Sequence, residues 1–298
     1  MEARSTAPKH IVDELIEERA PKMVASPFWR LYRAILYPLL REPEARRMAD
    51  ELIKRGGREA MDFVSDLLRL DVAVEGLDNV PRRGRVLIAC VHPTGIADGI
   101  AVHDALKALR PDLIFFANRD AIRVSPRFRE ILIPVEWVAA KRTRERSRET
   151  LVATRAAFTA ERCVIIFPSG RLAYMDENKV LTEQDWEPSV AIFARKYDCP
   201  IVPVHIGARN SWLYYWFRRL GPELRDITLF NELLNKTGKP FRLAFGKLIP
   251  PEDLGGDPVA VTEALRMHAW KGVPAGFPWR GLAADQAPAL SMEPQSGH

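Results

Sequence analysis

A histidine and an aspartate six positions apart, His92 and Asp98, lie in the stretch Val91-His92-Pro93-Thr94-Gly95-Ile96-Ala97-Asp98-Gly99. A carboxylate on one imidazole nitrogen fixes the tautomer and leaves the other nitrogen free to take a proton from a hydroxyl. The pair carries no nucleophile of its own, so it reads as a charge-assisted base. A structural reading fits the same residues: His92 hydrogen-bonds a strand end and Asp98 caps a helix, since a lone His and Asp fall together often by chance.

The flanking elements must position this pair. Arg85-Val86-Leu87-Ile88-Ala89-Cys90 fits a buried strand that Pro93 and Gly95 stop, and residues 96–109 read as a helix. On one continuous helix a spacing of six puts the side chains on different faces, so a turn through Thr94-Gly95 has to bring them together. Two more apolar strands end in polar groups. Cys163-Val164-Ile165-Ile166-Phe167 runs into Pro168-Ser169-Gly170-Arg171, and Ile201-Val202 runs into Pro203-Val204-His205. In an open α/β sheet, ligands bind at such strand ends.

Strand and helix patterns alternate from residue 72 onward, with strands over 72–74, 86–91, 113–117, 135–138, 164–167, 201–206 and 242–245 and helices over 96–109, 146–160 and 188–197. The alternation predicts an α/β fold, a mostly parallel or mixed sheet flanked by helices, with an N-terminal helical segment. Residues 1–25 are polar and mixed in charge and read as a loosely held arm, and 44–68 as a charged helical connection. Beyond residue 274, Gly, Pro, Ala, Ser and Gln without periodicity predict a disordered tail.

Two segments carry surplus aromatic and basic residues. After Ser26-Pro27, the residues Phe28, Leu31, Tyr32, Ile35 and Leu36 keep helical spacing with Arg30 and Arg33 off that face, and Pro38 ends or kinks the helix. Trp212-Leu213-Tyr214-Tyr215-Trp216-Phe217 precedes Arg218-Arg219. Each segment fits a membrane interface, where apolar rings sit beside cations, and each fits equally a helix packed on the protein's own core.

The 298 residues, 47% of them hydrophobic, can fill a substantial core. Lys and Arg number 44 against 39 Asp and Glu, and the net +5 favours a partner with phosphates or an anionic membrane surface. No zinc-finger spacing, basic region joined to heptads or aromatic RNA-binding signature is present, so no nucleic-acid partner is expected. Cys90, Cys163 and Cys199 read as reduced core thiols of a reducing compartment. The start lacks the apolar core of a secretion signal, and no apolar stretch approaches the roughly 18 residues of a membrane span. The protein is expected to be cytoplasmic, peripheral on the inner face of the membrane.

These blocks together resemble the phospholipid/glycerol acyltransferase superfamily of PlsC type, over residues 72–251. His92 and Asp98, then Phe167-Pro168-Ser169-Gly170-Arg171, then Ile201-Val202-Pro203-Val204 look like that superfamily's successive motifs. Gly76-Leu77-Asp78-Asn79-Val80-Pro81 is similar to its lead-in. Five residues rather than four separate His from Asp, Ser169 stands where Glu is usual, and Arg171 follows Gly170 directly. These departures look like the hemolysin-like branch, which includes acyltransferases acting on lyso forms of amino-acid lipids such as lyso-ornithine lipid.

The resemblance implies a glycerolphosphate-acyltransferase-like fold and an O-acyltransferase. Its arrangement would be an arm and helical segment over 1–71, an acyltransferase domain over 72–273 and a tail over 274–298. A fatty acyl group would pass from a thioester, acyl-CoA or acyl carrier protein, to a hydroxyl of a lysolipid or glycerol phosphate-type acceptor. His92 would act as general base oriented by Asp98. Around the acceptor, Phe167, Pro168, Ser169, Gly170, Arg171 and Pro203 are the implied binding residues, with Lys141 or Arg142 as a second source of positive charge. No cofactor or metal is implied, the thioester being a co-substrate. The same residues leave two alternatives, an acyl thioesterase or lipid hydrolase in which water attacks, and a non-enzymatic peripheral lipid-binding protein.

Overall fold

Runs of Val, Ile, Leu and Cys without a charged residue build the centre of the molecule, as they must in strands covered on both faces. The computed structural model describes residues 9–136 and 141–282. Five helices come first: α1 (Ile11–Arg19), α2 (Pro21–Val24), α3 (Trp29–Leu39), α4 (Glu42–Leu52) and α5 (Gly57–Leu68). The chain continues through β1 (Asp71–Glu75), β2 (Val86–Cys90), α6 (Ile96–Leu106), β3 (Leu113–Asn118), α7 (Asp120–Val124), β4 (Leu132–Val135) and α8 (Arg144–Thr159). Next come β5 (Cys163–Ile166), a small hairpin of β6 (Tyr174–Met175) and β7 (Leu181–Thr182), α9 (Ser189–Lys196) and β8 (Ile201–Gly207). Helices α10 (Trp212–Leu220), α11 (Pro222–Asp226) and α12 (Leu229–Leu234), strand β9 (Pro240–Phe245) and helix α13 (Pro258–Met267) complete the order.

The main sheet runs β1-β9-β8-β2-β5-β3-β4. Its neighbours are parallel except β8 and β9, which are antiparallel, so the expected mostly parallel sheet flanked by helices is what forms. Every residue of β2 and β5 is buried. Ala89 faces Ile166 on one side and Pro203 on the other, so β2, β5 and β8 end together at one edge. The three cysteines are free and buried within this centre.

Several local expectations change. Residues 11–19 are not a loose arm, because Val12, Leu15 and Ile16 give α1 an apolar stripe that is buried. The connection over 44–68 is two helices, since Gly56 caps a new one at α5. The strand expected at 135–138 lies earlier, at Leu132–Val135. Pro134 argues against a strand interior, yet β4 is the edge of the sheet, where a residue lacking an N–H is tolerated. Trp137 and Val138 of the expected strand lie outside the described residues. Within the expected tail, the Trp279 ring lies 5.5 Å from that of His268, and residues 283–298 lie outside the described residues.

At the edge of the sheet opposite the strand ends, Arg110 is 1% exposed. Its guanidinium donates to Pro81 O and Gly84 O, each at 2.8 Å, and to the Asp112 carboxylate at 2.7 Å and 2.8 Å. The loops before β2 and β3 are thereby tied together. Arg110→Leu leaves those carbonyls without a donor, and with about 1–3 kcal/mol per unmade buried bond we expect a stability loss of about 2–4 kcal/mol. Urea unfolding checks this as a lower midpoint at unchanged slope; an unchanged midpoint would show that the loops hold without the guanidinium.

Candidate active site

The buried strand β2 delivers His92 to the edge of the sheet, and Gly95 then makes the turn into α6. Its φ of +100° and ψ of −130° belong to a region closed to L side chains, and an added Cβ would sit 3.3 Å from the Leu172 side chain. Asp98, in the first turn of α6, reaches back over this corner. Its Oδ2 accepts from Thr94 N at 2.8 Å and Gly95 N at 2.9 Å, and lies 3.0 Å from His92 Nδ1; its Oδ1 accepts from the Thr94 hydroxyl. The turn through Thr94-Gly95 thus brings the pair together. The Asp98 side chain is fully buried, while that of His92 is 17% exposed.

With Nδ1 facing Asp98, Nε2 is the nitrogen left without a protein partner among the described residues. The ring lies over Phe167, centroids 4.4 Å apart. Its backbone is clamped from both sides. The His92 N–H donates to Glu183 Oε2 at 3.1 Å, and its carbonyl accepts from Ala173 N at 2.9 Å. Glu183 also accepts from Trp186 Nε1 at 3.0 Å and is 1% exposed. Burial pushes its carboxyl above the ordinary range, against the pull of the His92 amide and the Trp186 indole.

The Phe167-Arg171 block sits directly beside this corner. Phe167, Pro168 and Ser169 are buried, the Ser169 hydroxyl donates to Arg171 O at 2.9 Å, and Gly170 takes φ +57°. Arg171 is exposed and free of any ion pair among the described residues. Pro203 lies within β8, where its ring and carbonyl face Gly246, which places it as packing beneath the edge. Lys141 and Arg142 are not brought to His92. They lie beyond the edge strand β4, three strands from β2, with Lys141 paired to Glu18 at 2.7 Å and Arg142 donating to Glu136 O at 3.1 Å.

Glu183 escaped the sequence reading. It is 91 residues from His92, in the polar run Leu181-Thr182-Glu183-Gln184-Asp185-Trp186 that looks like any surface loop. Among the described residues no three His, Cys, Asp or Glu side chains converge to hold a metal ion. The geometry offers an oriented imidazole whose open nitrogen can accept and return a proton at the mouth of the central strands.

Residues 71–207 match the family model described as Acyltransferase. The chain is 23% identical over 245 residues to a lyso-glycine lipid O-acyltransferase of Bacteroides thetaiotaomicron, covering 80% of this chain and 88% of that protein. It is 24% identical over 200 residues to a lyso-glycine lipid O-acyltransferase of Phocaeicola vulgatus, covering 65% and 70%. Among solved structures, the 1-acyl-sn-glycerophosphate (LPA) acyltransferase PlsC of Thermotoga maritima gives a loose likeness. Its TM-score is 0.44 at 18% identity, over 89% of this chain and 94% of that one.

Glu183 yields a pH signature. In the unfolded chain its carboxyl titrates at its ordinary value, about 4.3, and in the folded chain burial raises it. The folded protein therefore holds the proton through the window between the two values. The stability that this protonation contributes is fully present below the unfolded value and is lost as pH rises through the folded one. Glu183→Gln has no such proton. In urea unfolding from about pH 4 to pH 8, the stability of the parent minus that of the variant is expected to fall with rising pH. A rising difference would show that the His92 and Trp186 hydrogen bonds outweigh burial.

Proposed function

We propose the following reaction for this chain, which belongs to the PlsC-type acyltransferase superfamily, in its lysolipid O-acyltransferase branch. The acceptor hydroxyl oxygen attacks the carbonyl carbon of an acyl thioester while His92 Nε2 takes the hydroxyl proton. The tetrahedral intermediate collapses with breakage of the C–S bond, and the proton passes from Nε2 to the departing thiolate. An ester of the acceptor and a free thiol result, so atoms and charge balance without a cofactor. Asp98 holds the ring by Nδ1 and stabilises the imidazolium while it lasts. The observation that carries this reading is the His92–Asp98 contact of 3.0 Å at the end of a buried strand, with the second ring nitrogen left open.

The donor in this reading is acyl-CoA or acyl carrier protein, and the acceptor is a lysolipid with an amino-acid headgroup of the kind named for the two bacterial relatives. Arg171 serves as the cation for the headgroup's anion in this reading, which is supported by its exposure and its lack of an ion pair among the described residues, two positions beyond the buried Ser169. Lys141, engaged with Glu18, supports the N-terminal helices in place of the acceptor.

The enzyme works as a peripheral protein on the inner face of the membrane, on the side of its cytoplasmic donors. Among the described residues no helix is long and apolar enough to cross a bilayer. Two helices instead turn large apolar residues outward. On α3 and at its start, Phe28 is 60% exposed, Leu31 57%, Ile35 59% and Leu39 51%, while Tyr37 and Leu40 pack inward. On α10, Trp212 is 74% exposed and Leu220 56%, with Trp216 between them, while Tyr214 and Phe217 face the core. Helix α10 packs on α11, and Glu223 of α11 takes the Lys22 and Met23 amides at 3.0 Å just before α3, so the two stripes belong to neighbouring parts of the surface. Contiguous exposed apolar residues of this size mark an interaction surface, and Arg30 and Arg219 beside them suit anionic headgroups.

His92→Ala retains the backbone bonds to Glu183 and Ala173, so it is expected to fold normally. Acyl transfer should nonetheless fall by about 100- to 10,000-fold, the worth of general-base assistance. Turnover within a few-fold of the parent, in protein of unchanged circular dichroism, would falsify the assignment.

In sedimentation with anionic liposomes, replacing Leu31 and Ile35, or Trp212 and Trp216, with serine should each weaken binding about tenfold or more, since burying one such side chain is worth about 1.5–3 kcal/mol. Added salt should remove only the electrostatic share, screened over about 10 Å at 0.1 M. Unaltered partitioning of both folded double variants would place the membrane contact elsewhere.

A further inference from the structure

The loop leaving β8 holds an asparagine in an unusual setting. Asn210 is 4% exposed, and neither its side-chain oxygen nor its side-chain nitrogen has a hydrogen-bond partner among the described residues. Buried polar atoms are nearly always paired, and a carboxamide with both ends unmatched carries a desolvation cost. The backbone around it is firmly braced. The Asn210 N–H donates to the Tyr215 hydroxyl at 3.2 Å. Ser211 donates from its N–H to Glu232 Oε2 at 2.8 Å and from its hydroxyl to Glu232 Oε1 at 2.6 Å. Glu232 is in turn paired with Lys236 at 3.1 Å, both residues being buried. The unmatched side chain is therefore set on a fixed frame.

That frame stands at the catalytic edge. Strand β8 runs parallel to β2 with Val204 opposite Cys90, and Val91 N donates to Val204 O at 3.1 Å, so the loops carrying His92 and Asn210 leave the sheet on the same side. Burial pushes the Tyr215 hydroxyl up and the Lys236 ammonium down, and the Asp98 carboxylate acts on both only as a smaller influence.

A carboxamide presents an acceptor oxygen and a donor nitrogen. A phosphate or carboxylate offers acceptors only, so it would satisfy Nδ2 and leave Oδ1 facing another oxygen. A secondary amide offers one N–H and one C=O, which answers both atoms at once. We propose that Asn210 is a specificity-determining residue that reads the amide link of an N-acylated amino-acid lysolipid, Oδ1 accepting the acceptor's N–H and Nδ2 donating to its carbonyl. This rests on the lysolipid acyl-transfer reading above and adds the feature of the acceptor that is recognised. In this structure the carboxamide is covered by its own neighbours, and in this proposal they part as the acceptor enters.

The test uses the full chain, an N-acyl amino-acid lysolipid with a free hydroxyl, and a matched analogue whose amide N–H is replaced by an ester oxygen. The parent is expected to favour the amide acceptor by about tenfold or more in kcat/KM, the worth of one buried hydrogen bond with its unmatched partner. Asn210→Ala should abolish that preference by raising the KM for the amide acceptor. The ester keeps the carbonyl that Nδ2 meets, so its rate should fall too, but by less than that of the amide, while the donor KM should change less than about twofold; thermal stability should hold or rise because an unmatched buried amide has been removed. An equal amide-to-ester ratio in parent and variant overturns the proposal, and a fall in Tm with that ratio unchanged assigns Asn210 to internal structure. Should the variant not fold, a parent enzyme without preference for the amide overturns it alone. Transfer by the parent to neither acceptor sinks the lysolipid reading itself, a result distinct from the loss of discrimination.

Discussion

A carboxylate that water cannot reach must find its donors in the protein, and at Asp98 that demand organises the whole corner of the candidate site. The donors come from the corner itself: the Thr94 and Gly95 amides, the Thr94 hydroxyl and the His92 ring. Satisfying them forces the chain to double back between β2 and α6, which only a glycine at position 95 allows. The carboxylate also sits in the first turn of α6, where the helix's free N–H groups favour negative charge. The orientation of His92 is then a consequence of how one buried charge is accommodated.

The surrounding chain holds that corner from outside. Segment 167–186 passes beneath and around it, giving Phe167 under the ring, Leu172 against Gly95, Ala173 on the His92 carbonyl and Glu183 on the His92 amide. Because the Ala173 and Glu183 contacts engage the backbone of residue 92, that backbone is held independently of the imidazole. Two further buried carboxylates serve similar bracing roles, Glu183 beneath the His loop and Glu232 beneath the loop after β8. These buried carboxyl groups hold loops in place at the ends of the central strands, where the sheet's own ladder no longer does so, as Arg110 does at the opposite edge.

On the outside the economy is reversed. Helices α3 and α10 each carry apolar residues on two faces, one set packed inward and one left in the open. A helix that only needed a core would spare the second set. Leaving Trp212, Ile35 and their neighbours exposed is what the proposed contact with lipid would require.

Much of the fold was legible in the sequence. The apolar runs at 86–91, 164–167 and 201–206 read as buried strands, and the breaks at Pro93 and Pro168 marked the edge where the candidate site lies, whereas the third strand, read as ending in Pro203-Val204-His205, runs on to Gly207. The His92–Asp98 pairing was legible too, because the spacing demanded a turn and Thr94-Gly95 supplied one. The sequence could not decide which apolar helix face would be buried, since periodicity gives a stripe without saying what lies opposite. The stripe of Phe28, Leu31 and Ile35 proved to be the open one. Nor could it set Lys141 apart from Arg171, or find Glu183 and Asn210. Those depend on which strands are neighbours and which loops cross over them, and such contacts between residues far apart in the chain exist only once the sheet order is fixed.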